Sequence, residues 1–147
     1  MAATRRAEAT WSGDLTSGSG AVSAVTSGAF TDLPVTWAAR TEGPAGMTSP
    51  EELVAAAHAA CFCMAFSGGL ARAGTPPTRL EVSAEVTFEK VEAGWKVASS
   101  ALAVRGEVPG ISAEAFQAAA EAARDGCPIS GALKGNVELS VEATLVE

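Results

Sequence analysis

Between residues 79 and 90 every second position is apolar. Leu80, Val82, Ala84, Val86 and Phe88 fall on one side, and Glu81, Ser83, Glu85, Thr87 and Glu89 on the other. A period of two predicts a strand with one face buried. Glu92-Ala93-Gly94 supplies a turn, residues 95–108 return as a second strand, and Pro109-Gly110 ends it. Residues 136–146 alternate again through Val137, Leu139, Val141, Ala143 and Leu145, and predict a closing strand. The stretch 53–71 behaves differently: it is apolar nearly all round, broken mainly by His58 and Ser67. Its start is well marked, with Ser49 as N-cap, Pro50 at the first helical position and Glu52 completing a capping box. The helix should run to Gly68-Gly69 or on to Gly74.

Weaker signals fill the remainder. Ser112 can cap a helix reaching Arg124 and ended by Gly126, and Cys127-Pro128 opens a short helix to about Lys134. In the first forty residues, Ala9-Thr10-Trp11, residues 21–30 and residues 34–40 read as strands. They are separated by turns at Ser12-Gly13-Asp14 and Ser17-Gly18-Ser19-Gly20. A Pro- and Gly-containing loop, residues 41–48, follows. No internal repeat is present. The order of strands, long helix, strand pair, helices and strand predicts a single α+β domain over residues 1–147, with mostly antiparallel pairing.

Length and composition sharpen this picture. A chain of 147 residues with 48% apolar and 18% charged positions is globular and can hold one core. A net charge of −7 without a basic run argues against a nucleic-acid surface. The N-terminus lacks the apolar segment of a signal peptide, so a cytoplasmic location, where thiols stay reduced, is expected. Three cysteines, an odd number, argue against a disulfide framework. The long apolar helix has the length of a membrane span, but its Ala and Gly drive insertion weakly. It is read instead as a helix buried on every side. So short a chain has difficulty surrounding it, which predicts close packing against a second copy.

Residues that could carry chemistry gather around the cysteines. Cys61 lies about three turns into the helix, where a free cysteine is usually a small buried hydrophobe with a raised pKa. A functional role would require a cation from Arg40, Arg72, Arg79, Arg105 or Arg124. Cys127, as N-cap before Pro128, faces free N–H groups and should be the more acidic thiol. Cys63, two positions after Cys61, points to another side of the helix and reads as packing. His58 shares the Cys61 face. It is either a hydrogen-bonded core histidine or a base or metal ligand, and His-x-x-Cys alone provides only two of the four ligands of a structural zinc site. Glu51 sits in the first turn, where a carboxylate meets the helix dipole favourably or holds an arginine. An arginine touching both Glu51 and Cys61 would have to span roughly 15 Å along one helix, at 1.5 Å per residue.

The run Thr48-Ser49-Pro50-Glu51-Glu52-Leu53, then Ala55-Ala56-Ala57-His58-Ala59-Ala60-Cys61-Phe62, with Gly126-Cys127-Pro128-Ile129-Ser130 downstream, resembles the OsmC/Ohr family of organic hydroperoxide peroxidases. Trp11-Ser12-Gly13-Asp14-Leu15, Ala39-Arg40-Thr41-Glu42-Gly43 and Val108-Pro109-Gly110-Ile111 extend the similarity over essentially the whole chain, on the OsmC branch. The resemblance implies an intertwined α+β homodimer, with two long central helices and active sites at the subunit interface. It implies Cys61 as the peroxidatic thiol, Cys127 as the resolving thiol, Arg40 stabilising the Cys61 thiolate and Glu51 orienting Arg40, a pair that can form across subunits. It also implies that no cofactor is bound and that an external dithiol, such as dihydrolipoyl groups, is the reductant. Cys63 departs from the family, which often has Ser there. Phe62, Met64, Phe66 and Met47 are candidates for an apolar peroxide pocket. Two other readings stay open: a redox sensor using the same disulfide, and a dimer that binds an apolar ligand without catalysis.

Overall fold

A computed structural model describes residues 1–43 and 46–147; Pro44 and Ala45 of the expected loop lie outside the described residues. The chain divides into two compact units, Met1–Leu53 and Val54–Glu147.

The first unit holds a three-stranded antiparallel meander of β1 (Ala7–Ser12), β2 (Ser19–Ala24) and β3 (Leu33–Val35). Trp11 stands opposite Gly20, and its ring closes over that position. A Cβ on Gly20 would come within 2.8 Å of the indole. The glycine is thus required by a close approach rather than by its own dihedrals. The strand expected over residues 34–40 stops at Val35. Thr36 turns its hydroxyl to accept the Ala39 N–H at 3.0 Å and caps a short helix, α1 (Trp37–Thr41), which places Arg40 on a helix and not on a strand. A local side-chain cap has outcompeted the ladder. The strand expected over residues 21–30 likewise ends at Ala24, where the chain turns back through Gly28 and the Ala24 N–H bonds the Phe30 carbonyl at 3.0 Å.

The long helix, α2 (Pro50–Arg72), starts as expected. Ser49 Oγ accepts the Glu52 N–H at 3.1 Å, but Glu52 turns its carboxylate to the Thr48 hydroxyl at 2.8 Å, so the reciprocal half of the capping box is not formed.

The second unit carries a sheet ordered β4-β5-β6, of β4 (Arg79–Val91), β5 (Gly94–Glu107) and β6 (Glu138–Val146). β4 and β5 form the expected antiparallel hairpin, whereas β6 joins β5 in parallel. The parallel pair needs a crossover, supplied by α3 (Ala113–Gly126) and α4 (Pro128–Leu133). Alternation along β4 and β6 leaves one sheet face packed and the other open. The core brings together Phe62, Phe66 and Leu70 of α2, Phe116, Ala120 and Ala123 of α3, and Leu102 and Val104 of β5. The rings of Phe62 and Phe66 are 5.4 Å apart, and those of Phe66 and Phe116 are 5.1 Å apart.

One chain alone does not bury α2 on every side: His58, Phe62, Phe66 and Leu70 form one buried stripe, while Ala56, Ala57, Ala60 and Met64 are exposed. One chain supplies cover for one face only. The expected apolar pocket is corrected. Phe62 and Phe66 are fully buried members of the core rather than pocket walls; Met64 is the exposed member of that group, at 74%.

Candidate active site

In the second unit, α2 presents His58 and Cys61 from successive turns of one face. Cys127 arrives from the junction of two helices. It ends α3, its N–H bonding the Ala123 carbonyl at 2.9 Å, and it is the N-cap of α4. Its backbone at φ −66°, ψ 126° is extended, as the residue before a proline prefers. A cysteine fixed by two helix ends and a proline has little freedom, and it is 1% exposed.

The structure brings the two thiols close enough for each to shift the other's acidity. Their acidities diverge. Burial pushes the Cys61 thiol up, the neighbouring Cys127 thiol adds to this, and the Ile129 N–H opposes it only partly. Burial also works against ionisation of Cys127. There it is outweighed by the Ser130 N–H, the Cys61 side chain, the Ser130 hydroxyl and the Ile129 N–H, so the Cys127 thiol lies below its ordinary value. No side-chain capping bond closes on the Cys127 sulfur; the lowering is the combined effect of several donors in the first turn of α4 and of Cys61. The expectation that Cys127 is the more acidic thiol agrees with these directions. Cys63 is half-buried, and burial raises its thiol too.

His58 is fully buried between two serines, with Nδ1 2.6 Å from Ser100 Oγ and Nε2 2.7 Å from Ser130 Oγ. Burial lowers its pKa, so the ring is neutral, with one nitrogen donating and the other accepting. It is the hydrogen-bonded core histidine that the sequence allowed. Among the described residues, no three His, Cys, Asp or Glu side chains converge as metal ligands would. Ser100 and Ser130 carried no role in the sequence reading. The signal for Ser100 was its place in the core-facing register of β5 with Leu102 and Val104, where a serine demands a buried partner.

In the first unit, Arg40 of α1 grips Glu51 in the first turn of α2. Nε lies 3.0 and 3.1 Å from the two carboxylate oxygens, and Nη2 lies 2.7 Å from Oε1. Glu51 is 6% exposed, and the Arg40 guanidinium also lies over the Trp37 ring at 5.9 Å. The pair forms within one chain, not across subunits as the resemblance allowed. Of the other arginines considered, Arg79 pairs with Glu81 at 2.8 Å and Arg124 with Asp125 at 3.0 Å, each next to solvent. A groove of about 420 Å³ in the second unit is lined by Met64, Ala65, Gly68, Ala119 and Pro128 among others, largely with small side chains.

Residues 43–142 match the family model described as OsmC-like protein. Peroxiredoxin OsmC of Escherichia coli is 41% identical over 138 residues, covering 94% of this chain and 95% of that protein. The organic hydroperoxide resistance protein OhrA of Bacillus subtilis is 39% identical over 97 residues, covering 65% of this chain and 66% of that protein. Among solved structures, the organic hydroperoxide resistance protein OhrB of Bacillus subtilis superposes with a TM-score of 0.74 at 26% identity, over 95% of this chain and 98% of that one.

Proposed function

The chain belongs to the OsmC family, and from that membership we propose that it is a thiol-dependent peroxidase for organic hydroperoxides. The observation that carries this reading is the proximity of two free thiols, Cys61 and Cys127, which come from distant parts of the sequence and shift each other's acidity. The names of its relatives, a peroxiredoxin and organic hydroperoxide resistance proteins, point the same way.

The cycle has three steps. The Cys61 thiolate attacks the distal oxygen of an alkyl or lipid hydroperoxide. The O–O bond breaks, an S–O bond forms, and the alkoxide leaves with one proton as an alcohol, so that Cys61 becomes a sulfenic acid. The Cys127 sulfur then attacks Cys61, forming the S–S bond and releasing hydroxide, which takes a proton to become water. An external dithiol, of the dihydrolipoyl type, reduces the disulfide by exchange and is itself oxidised.

Cys61 needs help to ionise, since burial raises its pKa. Arg40, fixed by Glu51, is assigned that task and the polarisation of the peroxide. We assign the Cys61 that it activates to a second copy, as the family resemblance implies. A homodimer through α2 would also cover the exposed Ala56, Ala57, Ala60 and Met64 and put the active site at the subunit interface. Small side chains on that face and along the neighbouring groove permit close approach.

The test is turnover. With excess cumene hydroperoxide and dihydrolipoamide, the protein should consume many equivalents of peroxide, and Cys61→Ser should consume none. Consumption of one equivalent and no more would replace the enzyme by a redox sensor.

A further inference from the structure

The chain Ser100–His58–Ser130 is fully buried, and all three side chains are hydrogen-bonded to one another in sequence. The peroxidase cycle above uses none of them. Their arrangement is directional. Ser130 is the third residue of α4, whose N-cap is Cys127, so its side chain can reach back to the N-cap as in a capping box. Its hydroxyl lies 2.7 Å from His58 Nε2, in the first turn of the helix that Cys127 caps, and it favours the Cys127 thiolate.

A neutral imidazole has one donor and one acceptor nitrogen, and the choice fixes what Cys127 meets. If Ser100 donates to Nδ1, then Nε2–H donates to the Ser130 oxygen, and the Ser130 proton is left to point at sulfur. In the other tautomer Ser130 donates to Nε2, and its lone pairs face a thiolate. Only the first arrangement favours an ionised Cys127.

We propose, on the premise that Cys127 resolves a Cys61 sulfenic acid, that His58 and Ser130 are positioning residues for this step: the buried ring holds the Ser130 hydroxyl proton on the Cys127 thiolate. His58 stays neutral throughout and is not a base. The step balances without another reactant. The Cys127 thiolate forms the S–S bond, the Cys61 S–O bond breaks, and the departing hydroxide is protonated to water by the proton Cys127 had released. The lowered pKa of Cys127, to which the Ser130 hydroxyl contributes, agrees with this orientation.

Loss of one charge-assisted hydrogen bond lowers the thiolate population about tenfold. A more basic thiolate is intrinsically more nucleophilic, which returns about half of the effect on a logarithmic scale. Ser130→Ala should therefore form the Cys61–Cys127 disulfide about threefold more slowly. The reduced variant should also show weaker ultraviolet thiolate absorbance at neutral pH. Cys61 sulfenic acid, trapped with a cyclic diketone, is followed separately so that slow oxidation is not read as slow resolution. Ser130→Thr and His58→Gln, which keep a hydroxyl and a donor in place, should resolve at close to the native rate, and His58→Leu should not. A native rate and absorbance in Ser130→Ala would overturn the proposal, as would a His58→Gln variant as slow as His58→Leu, since glutamine orients but cannot titrate. If Ser130→Ala does not fold, Ser100→Ala removes the donor that selects the tautomer; it should slow resolution in the same direction, and a native rate there would be equally fatal. Failure of the native protein to form the disulfide at all would count against the two-cysteine cycle instead.

Discussion

Removing Arg40 should cost more stability than removing Glu51, although the two belong to one ion pair. The carboxylate is the buried partner: the side chains are 8% exposed for Glu51 and 30% for Arg40. Arg40→Ala deletes three N–H···O contacts and leaves a charged carboxylate with little water. Breaking a buried pair this way costs ~3–5 kcal/mol. Water entering the space of a part-exposed guanidinium reduces this to about 2–3 kcal/mol, or roughly 4–12 °C in Tm for a chain of this size. Glu51→Ala leaves a guanidinium that can turn toward solvent and keep its place near Trp37. It loses the pair and a favourable first-turn charge, about 1–1.5 kcal/mol. The double variant Arg40→Ala with Glu51→Ala removes the orphaned charge and should recover about half of the Arg40→Ala loss. Thermal unfolding of the four proteins followed by circular dichroism provides the assay. Equal losses from the two single substitutions, or strictly additive losses, would refute the assignment of Glu51 as the desolvated partner.

Other expectations concern the core, the histidine and the chemistry. A Cβ on Gly106 would lie 2.6 Å from Phe116 Cε2, so Gly106→Ala should destabilise by about 1–3 kcal/mol despite its gain in chain entropy; adding Phe116→Leu should relieve part of this in chemical denaturation. His58 is protonated more readily in the unfolded chain, where its pKa is the ordinary 6.5, than in the fold, where burial lowers it. Stability should therefore be level above that value and fall as pH drops below it toward the folded value, by up to about 1.4 kcal/mol per pH unit. His58→Gln should remove that slope, and an unchanged slope would exonerate His58. Arg40→Ala, held below its melting range, should react with peroxide at least tenfold more slowly; native kinetics in a folded variant would take Arg40 out of the mechanism.

Period-two alternation located β4 and β6, because a sheet with one packed face writes its register directly into the sequence, and the turn at Glu92-Ala93-Gly94 with the Pro109-Gly110 end located β5. The start of α2 was legible for the same reason, since Ser49 and Pro50 satisfy or remove orphan N–H groups locally. Three features were not legible. The change at Thr36 from strand to helix rests on one hydroxyl that could equally have faced a neighbouring strand. The parallel placement of β6 is a matter of crossover topology, which alternation does not encode. The Ser100–His58–Ser130 chain joins residues separated by 42 and 72 positions from the histidine, so only the fold reveals it. At the site, the roles expected for Cys61, Cys127, Arg40 and Glu51 came from the family resemblance; the structure adds the Arg40–Glu51 pair and the proximity of the two thiols. Periodicity alone would have left Cys61 a packing residue, as its half-buried place on an Ala-rich helix suggests.

The central claim is that Cys61 and Cys127 exchange oxidation state. The most direct measurement treats the fully reduced protein with a stoichiometric amount of an alkyl hydroperoxide, blocks the remaining thiols within seconds, and maps the sulfurs by peptide mass spectrometry. A rapid Cys61–Cys127 disulfide with Cys63 still reduced is the predicted result. Thiols unreacted after minutes, or a disulfide that recruits Cys63 in place of Cys127, would contradict it.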